Sequence, residues 1–349
     1  MLLTAGVIVI VFFIFSFLPA DPALGISGQR ADQSTTEIIN HDFSLDQPAY
    51  IRFAIYINDL LPLSIYNRKV KESPIYLDPA KYRSAFKMFY FGTDKAIVFK
   101  SPYLRRSFHN KEGVYDMLTS RFKDSMVLVT ASIVLAILFG VFLGIYSAVK
   151  RNTFIGKIIS FISLAGISLP VFFAAIVVAW LFGFVLHRFT GLNMTGGLYS
   201  VDPFEGEYIN WKNLLLPAIV LSLKPMALII RQSRRLFLEV MSQQHILAAK
   251  AKGVRKTMLL FNHAWLNTTA PLVLLSYKWL GSLLGALVFT EFIFNWNGIG
   301  KLTVTAILNT DLPVMMGIIL FISVIYILIY TCAKLLYSTL DPRVDLKMR

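Results

Sequence analysis

Lys224 and Lys278 stand inside long apolar runs of this sequence. An ammonium at the centre of a bilayer costs roughly 2.5–3.5 kcal/mol on insertion scales, so such a group faces protein or water rather than lipid. Pro225, beside Lys224, has no N–H to give and frees the carbonyl of Leu221. A cation next to a proline in an apolar run reads as the wall of a wet cavity. The chemistry this offers is recognition of an anionic group, such as a carboxylate, with Lys224, Pro225 and Lys278 lining the path. Snorkelling or a structural ion pair accounts for the same lysines, and for Lys278 that is the reading adopted. Lys334, near the end of the last apolar run, is read as snorkelling.

Other constellations offer less. The stretch GIGKLT at 298–303 ends like a phosphate-binding loop, but the glycine required five residues before Gly300 is Asn295. A turn leading into a short interfacial helix through KLTVTAILN is expected instead. The histidines at 41, 109, 187, 245 and 263 show neither HxxxH nor HExxH spacing, so no metal site is assigned. There is no Gly-x-Ser-x-Gly elbow for a nucleophile, and no carboxylate inside an apolar run for an intramembrane protease. Glu291 and Asp311 flank the last loop; they are open to three readings, as solvated charges, as contacts for a partner, or as groups that hold the loop closed. Cys332 is the single cysteine, which excludes an internal disulfide or thiolate metal cluster. No catalytic, cofactor-binding or metal-binding residue is expected in this chain.

The elements that must position the lysines are membrane helices. Of 349 residues, 56% are hydrophobic and 15% charged, against roughly a quarter charged in soluble domains. The net charge of +14 does not indicate nucleic acid, because the basic residues are dispersed and partly ordered by topology. A hydrocarbon core needs about 20 apolar helical residues to cross it. Candidate spans lie at about 2–18, 126–149, 158–186, 214–231, 270–290 and 314–337. The expectation is an all-α polytopic membrane protein of six spans. The third span is long and holds Pro170 and Gly183, which predicts tilt or a kink. The first is read as a retained anchor rather than a signal peptide: its apolar run is long for a signal, no basic stretch precedes it, and FLPA is a weak cleavage site.

Lys and Arg set the orientation. Three lie in the 150–157 loop, seven in 231–269 and three beyond 337, thirteen on one face against Arg188, Lys212 and Lys301 on the other. Basic loops stay inside, so both termini and the 232–269 loop are expected in the cytoplasm. Three parts follow: an anchor at 1–18, a soluble external segment at 19–125 with prolines at 48, 62, 74, 79 and 102, and a five-span core at 126–349.

The inner loop carries QQHILAAKAKGVRKTMLLFNHAWLN at 243–267. Ser242 is expected to N-cap a short helix containing Leu247, Ala248, Ala249, Lys250, Ala251 and Lys252. Gly253 is expected to end it at C′ with a positive φ. Ala249 and Gly253, four apart, share a face whose small side chains let another protein approach the backbone. Physics alone supports a tight protein groove and a bilayer surface about equally. A second helix is expected through TMLLFNHAWLN up to Pro271.

HILAAKAKG followed by FNHAWLNTTAP resembles the cytoplasmic-loop signature of ABC-importer permeases, and more narrowly the dipeptide/oligopeptide/nickel permease family. Gly253, His263, Ala264, Asn267 and Pro271 fall on the family's places, while Leu247 stands where the wider superfamily has a glutamate. FLPADP at 17–22, LDQP at 45–48, SPYLRRSF at 101–108, EFIFNWNGIGKL at 291–302, DLP at 311–313 and LDPR at 340–343 extend the resemblance over nearly the whole chain. The stretch at about 63–100 looks like an insertion. The resemblance implies the permease subunit of an ATP-driven importer in the bacterial inner membrane. It implies a second homologous permease, two ATPase subunits that carry ATP and Mg, and an extracytoplasmic substrate-binding protein. It further implies short peptides as cargo, with nickel or another small solute left open. The elbow becomes a coupling helix, with Leu247, Ala248, Ala249, Lys250, Lys252, Gly253, His263 and Asn267 at the ATPase. An ion-coupled secondary transporter would favour inverted repeats and intramembrane carboxylates, neither of which is seen, and a membrane-anchored binding scaffold would not need the elbow.

Overall fold

The computed structural model describes residues 2–17, 47–67, 76, 86–91, 95–202, 204, 206–255, 258 and 280–340. These fall into two compact units, drawn from 1–120 with 303–327 and from 121–302 with 328–349.

In the first unit, helix α1 (Leu2–Phe17) is apolar all round, as a helix in lipid or deep in a core must be. Helix α2 (Ala49–Leu60) is amphipathic and buries Ile55, Tyr56 and Asp59. The ring of Phe12 lies 4.9 Å from that of Phe53 and 5.5 Å from that of Tyr56. Val11, Phe12 and Tyr56 form one cluster with Met316 and Leu320. Strands β1 (Leu63–Asn67), β2 (Phe86–Phe91) and β3 (Lys95–Phe99) make an antiparallel sheet in the order β1-β3-β2. The alternation expected of a half-buried strand is visible on β1, where Ser64 and Tyr66 are buried and Leu63 and Ile65 exposed. This sheet occupies the 63–100 stretch that stands outside the sequence resemblance.

Helix α3 (Val114–Val149) begins in the first unit and supplies most of its length to the second. Helix α4 (Phe154–Ser168) is N-capped by the hydroxyl of Thr153, which accepts from the Gly156 N–H. Helix α5 (Val171–Trp180) runs into a π-helical turn at Leu181–Val185 and the short α6 (His187–Thr190). A hairpin of β4 (Tyr199–Asp202) and β5 (Gly206–Ile209) precedes α7 (Lys212–Met241), which contains Pro217 and Pro225 without interruption. Then follow α8 (Gln244–Ala251), α9 (Leu280–Ile293), α10 (Ile299–Leu308) and α11 (Leu312–Leu340).

Among the described residues, three helices are long and apolar enough to cross a membrane: α3, α7 and the stretch Leu312–Cys332 of α11. The pair α4 and α5 adds a fourth if taken as one span, bent by 113°. The kink expected in a long third span is therefore a full break. Its cause is local. A residue before proline is pushed out of the helical region, and Leu169 sits at φ −69°, ψ 129°, closing α4 with its N–H on the Ala165 carbonyl. Pro170 then opens α5. Of the span expected at 270–290 only the part from Leu280 is described, and Lys278 lies outside the described residues.

Small residues set the helix spacing in the second unit. A Cβ on Gly140 would meet the Ile229 Cβ at 2.8 Å, and one on Gly144 would meet the Ser233 Cβ at 2.6 Å and the Ile230 carbonyl oxygen at 2.7 Å. Gly140 and Gly144 thus let α3 lie directly on α7, the use of G-x-x-x-G where no hydrophobic effect drives helices together. On a neighbouring face of α7, a Cβ on Gly166 of α4 would reach the Ala227 Cβ at 3.1 Å. The Arg234 guanidinium of α7 donates to the Gly156 carbonyl at 3.2 Å and to the Ser160 hydroxyl, fastening α4 to the same helix.

Candidate functional site

The elbow is built as a short helix hung from the end of α7. Ser242 does not N-cap it, contrary to the sequence expectation: its hydroxyl donates back to the Glu239 carbonyl at 2.7 Å and so ends α7. The Gln243 carbonyl instead accepts the Ile246 N–H. Ile246, 1% exposed, packs with Ala148, Phe237 and Val240, so the helix is anchored by one bulky side chain. Ala249 and Val254 pack against the same cluster. Ala249 is therefore turned inward, and the open surface consists of the small residues Ala248, Ala251 and Gly253 with Lys252. The reason is helical phase: three residues on from Ile246 lies on nearly the same side.

Gly253 ends the helix with φ 79°, and a Cβ there would touch nothing within 4 Å. Conformation rather than space demands glycine. The Val254 N–H reaches the Ala249 carbonyl at 3.3 Å, the six-to-one bond of a Schellman cap, with Val254 and Ala249 also joined in the apolar cluster. His263, Asn267 and Pro271, and the second helix expected there, lie outside the described residues, as do the side chains of Leu247 and Lys250.

The lysine of the apolar run stands beside a hollow. A cavity of about 180 Å³ is lined by Phe161, Leu169, Val171, Ala174, Val220 and Lys224, among others. Lys224 is half-buried and Pro225 buried. The hollow lies where α4 breaks from α5, a juxtaposition with α7 that sequence spacing does not reveal.

The border carboxylates are not solvated. Glu291 is 0% exposed. It accepts from the Ser125 hydroxyl at 2.6 Å, the Gly300 N–H at 2.6 Å and the Lys301 N–H at 3.3 Å. The Ile299 N–H donates to the Ser125 oxygen at 2.8 Å, and the Trp296 indole donates to the Asp124 carbonyl at 3.0 Å. The first turn of α10 thus binds an anion, as helix N-termini do, and the anion is the chain's own glutamate. This accounts for the likeness of GIGK to a phosphate loop. Burial lowers the Lys301 ammonium from its ordinary value, and Arg121 adds a like charge. In the first unit Asp311, 4% exposed, accepts from the Ser107 hydroxyl and from the Phe108 N–H at 3.2 Å. The SPYLRRSF and DLP segments are therefore partners of each other. Of the three readings of these carboxylates, holding a loop closed is the one the geometry fits.

The family model for the binding-protein-dependent transport system inner membrane component matches residues 140–346, and that for its N-terminal region matches residues 1–76. A dipeptide transport system permease protein of Alkalihalophilus pseudofirmus is 28% identical, over 97% of this chain and 94% of that protein. A probable D,D-dipeptide transport system permease protein of Escherichia coli K12 is 30% identical, over 98% and 94%. A glutathione transport system permease protein of Escherichia coli is 29% identical, over 97% and 94%. Among solved structures, a chain of a methionine ABC transporter in an inward-facing conformation shares the fold with a TM-score of 0.53 at 15% identity, over 65% of this chain and 97% of that one.

Proposed function

This chain belongs to the family of binding-protein-dependent transport inner-membrane components, and we propose on that footing how its parts divide the work. It is the membrane permease subunit of an ABC importer. Its cargo is a short peptide, in line with the dipeptide and glutathione named for its relatives. It sits in the inner membrane as six spans with both ends in the cytoplasm and 19–125 outside. It pairs with a second homologous permease and with two ATPase subunits that hold ATP and Mg, and an extracytoplasmic binding protein delivers the cargo.

The elbow couples the motor to the path. The surface of Ala248, Ala251, Lys252 and Gly253 seats in a groove of one ATPase, with Leu247, Lys250, His263 and Asn267 contributing and Ala249 fixing the helix from within. The observation that carries this is α8 itself: a capped, Ile246-anchored knuckle attached to the unbroken helix α7, which also bears Lys224. Lys224 and Met241 are seventeen residues apart, ~25 Å at the rise of an α-helix. A push on the knuckle tilts one rod and with it the wall of the path, exchanging outward for inward access.

The test is cross-linking. In a Cys332→Ser background, Ala248→Cys co-expressed with the ATPase subunits is expected to cross-link to one of them, with a yield that changes when ATP is trapped. Cross-linking to lipid-facing or external partners alone would sink the assignment.

A further inference from the structure

The break between α4 and α5 falls inside apolar sequence, with fifteen residues of α4 before it and ten of α5 plus five of the π-helical turn after it. Leu169 and Pro170, at the break, are exposed in the isolated chain. Backbone outside a helix is tolerated at membrane depth only where it is covered by protein or lines a water-filled cavity. The last carbonyls of α4 and the first N–H groups of α5 have no intrahelical partners, so this side of the bundle is not a lipid face.

Lys224 belongs to the same wall. Among the described residues it is the one charged residue lining the cavity, which is otherwise walled by Phe161, Leu169, Val171, Ala174 and Val220 among other apolar groups. No side-chain hydrogen bond or ion pair of Lys224 is found among the described residues. The first turn of α5 lines the cavity through Val171 and Ala174, and the N-terminal end of a helix carries partial positive charge. The hollow therefore combines a cation with apolar walls. At about 180 Å³ it is smaller than the roughly 300–1,000 Å³ of sites that enclose a whole drug-sized ligand. It has room for one end of a molecule.

We propose that this cavity is a subsite for the C-terminal carboxylate and last apolar side chain of a short peptide in transit. The proposal rests on the peptide reading above and adds the end of the peptide that is held and the residue that holds it. The carboxylate pairs with the Lys224 ammonium near the first turn of α5, and the side chain lies against Leu169, Val171 and Val220. A lipid headgroup has the same charge, and the test below separates the two.

Within this chain Cys332 is the single native cysteine. In a Cys332→Ser background, Lys224→Cys is assembled into the complete importer in proteoliposomes, and ATP-driven uptake of radiolabelled alanyl-leucine is followed. Uptake is expected to fall at least tenfold. Reaction with 2-aminoethyl methanethiosulfonate, which restores an ammonium, is expected to recover at least half of it, and methyl methanethiosulfonate none. Undiminished uptake, equal recovery with both reagents, or a thiol that neither reagent reaches would each overturn the subsite. So would a thiol protected by anionic lipid alone. If the cysteine variant fails to assemble, Lys224→Arg must keep uptake and Lys224→Gln must lose it; equal uptake by the two overturns the proposal. A wild-type complex that moves no alanyl-leucine would overturn the peptide reading itself and the subsite with it. Transport by wild type and Lys224→Cys alike removes only the subsite.

Discussion

The Glu291 carboxylate fills the space that a side chain on Gly298 would need: a Cβ built there would lie 2.2 Å from Oε1. Glycine at 298 and glutamate at 291 are thus one feature. The carboxylate folds under the turn, takes the N–H groups of Gly300 and Lys301, and reaches the Ser125 hydroxyl on α3. A buried acid costs several kcal/mol unless fully hydrogen-bonded, and here three donors answer it, two of them N–H groups of a helix N-terminus.

Gly298→Ala is therefore expected to be more damaging than its size suggests, because the buried carboxylate cannot stay. Glu291→Gln keeps the shape but sets an NH₂ either against the Gly300 and Lys301 N–H groups or against the Ser125 hydroxyl, so a buried donor loses its acceptor at about 1–3 kcal/mol. Ser125→Ala, which removes one donor, should fall short of both. Thermal unfolding of the solubilised protein should rank them in that order, by a few degrees each. A Glu291→Gln variant as stable as wild type would contradict the role of the carboxylate.

Gly253→Pro removes the positive φ that closes α8, since proline is locked near −65°. Membrane insertion should be unaffected. ATP hydrolysis by the assembled complex should continue while peptide uptake falls at least tenfold, as read by parallel assays on one preparation. Uptake that remains coupled to hydrolysis would exclude the elbow as the transmitting element.

Gly144→Ala tests the α3–α7 contact. Its Cβ would meet backbone at 2.7 Å, which a flexible side-chain tip cannot relieve, so a loss of about 1–3 kcal/mol is expected from overpacking. Gly285→Ala is the control, because a Cβ there meets nothing within 4 Å. Equal thermal midpoints for the two variants would deny the close approach.

Asp311→Asn should loosen the first unit. The Ser107 oxygen already accepts the N–H groups of His109 and Asn110 at 3.2 Å, so its one proton goes to Asp311 and cannot be satisfied by an amide NH₂. Protease added to the outer face should then cut within 101–113 several-fold faster than in wild type. Identical cleavage rates would show that the bond does not hold the segment.

Glycine at 253, the helical class and the membership of the permease family were all legible in residue type and order, because each depends on local chemistry or on motifs in sequence. Gly140 and Gly144 offered a readable signal as well, four apart in an apolar run. By contrast, the pre-proline Leu169 predicted a disturbance but not a 113° bend, since the angle depends on what packs against each half. Helical phase could place Ala249 near Gly253, yet only the anchoring of Ile246 turned it inward.

What the sequence by itself determined is the kind of molecule and the glycine that closes its elbow: hydrophobic run length, proline and glycine act over a few residues and need no partner. What only the tertiary structure decided is which distant groups meet. Ser125 finds Glu291 across 166 positions and Ser107 finds Asp311 across 204, and Lys224 finds the hollow at Leu169. Such meetings follow from how helices stack, and the energy of a buried charge or a freed carbonyl is set by those neighbours rather than by its own identity.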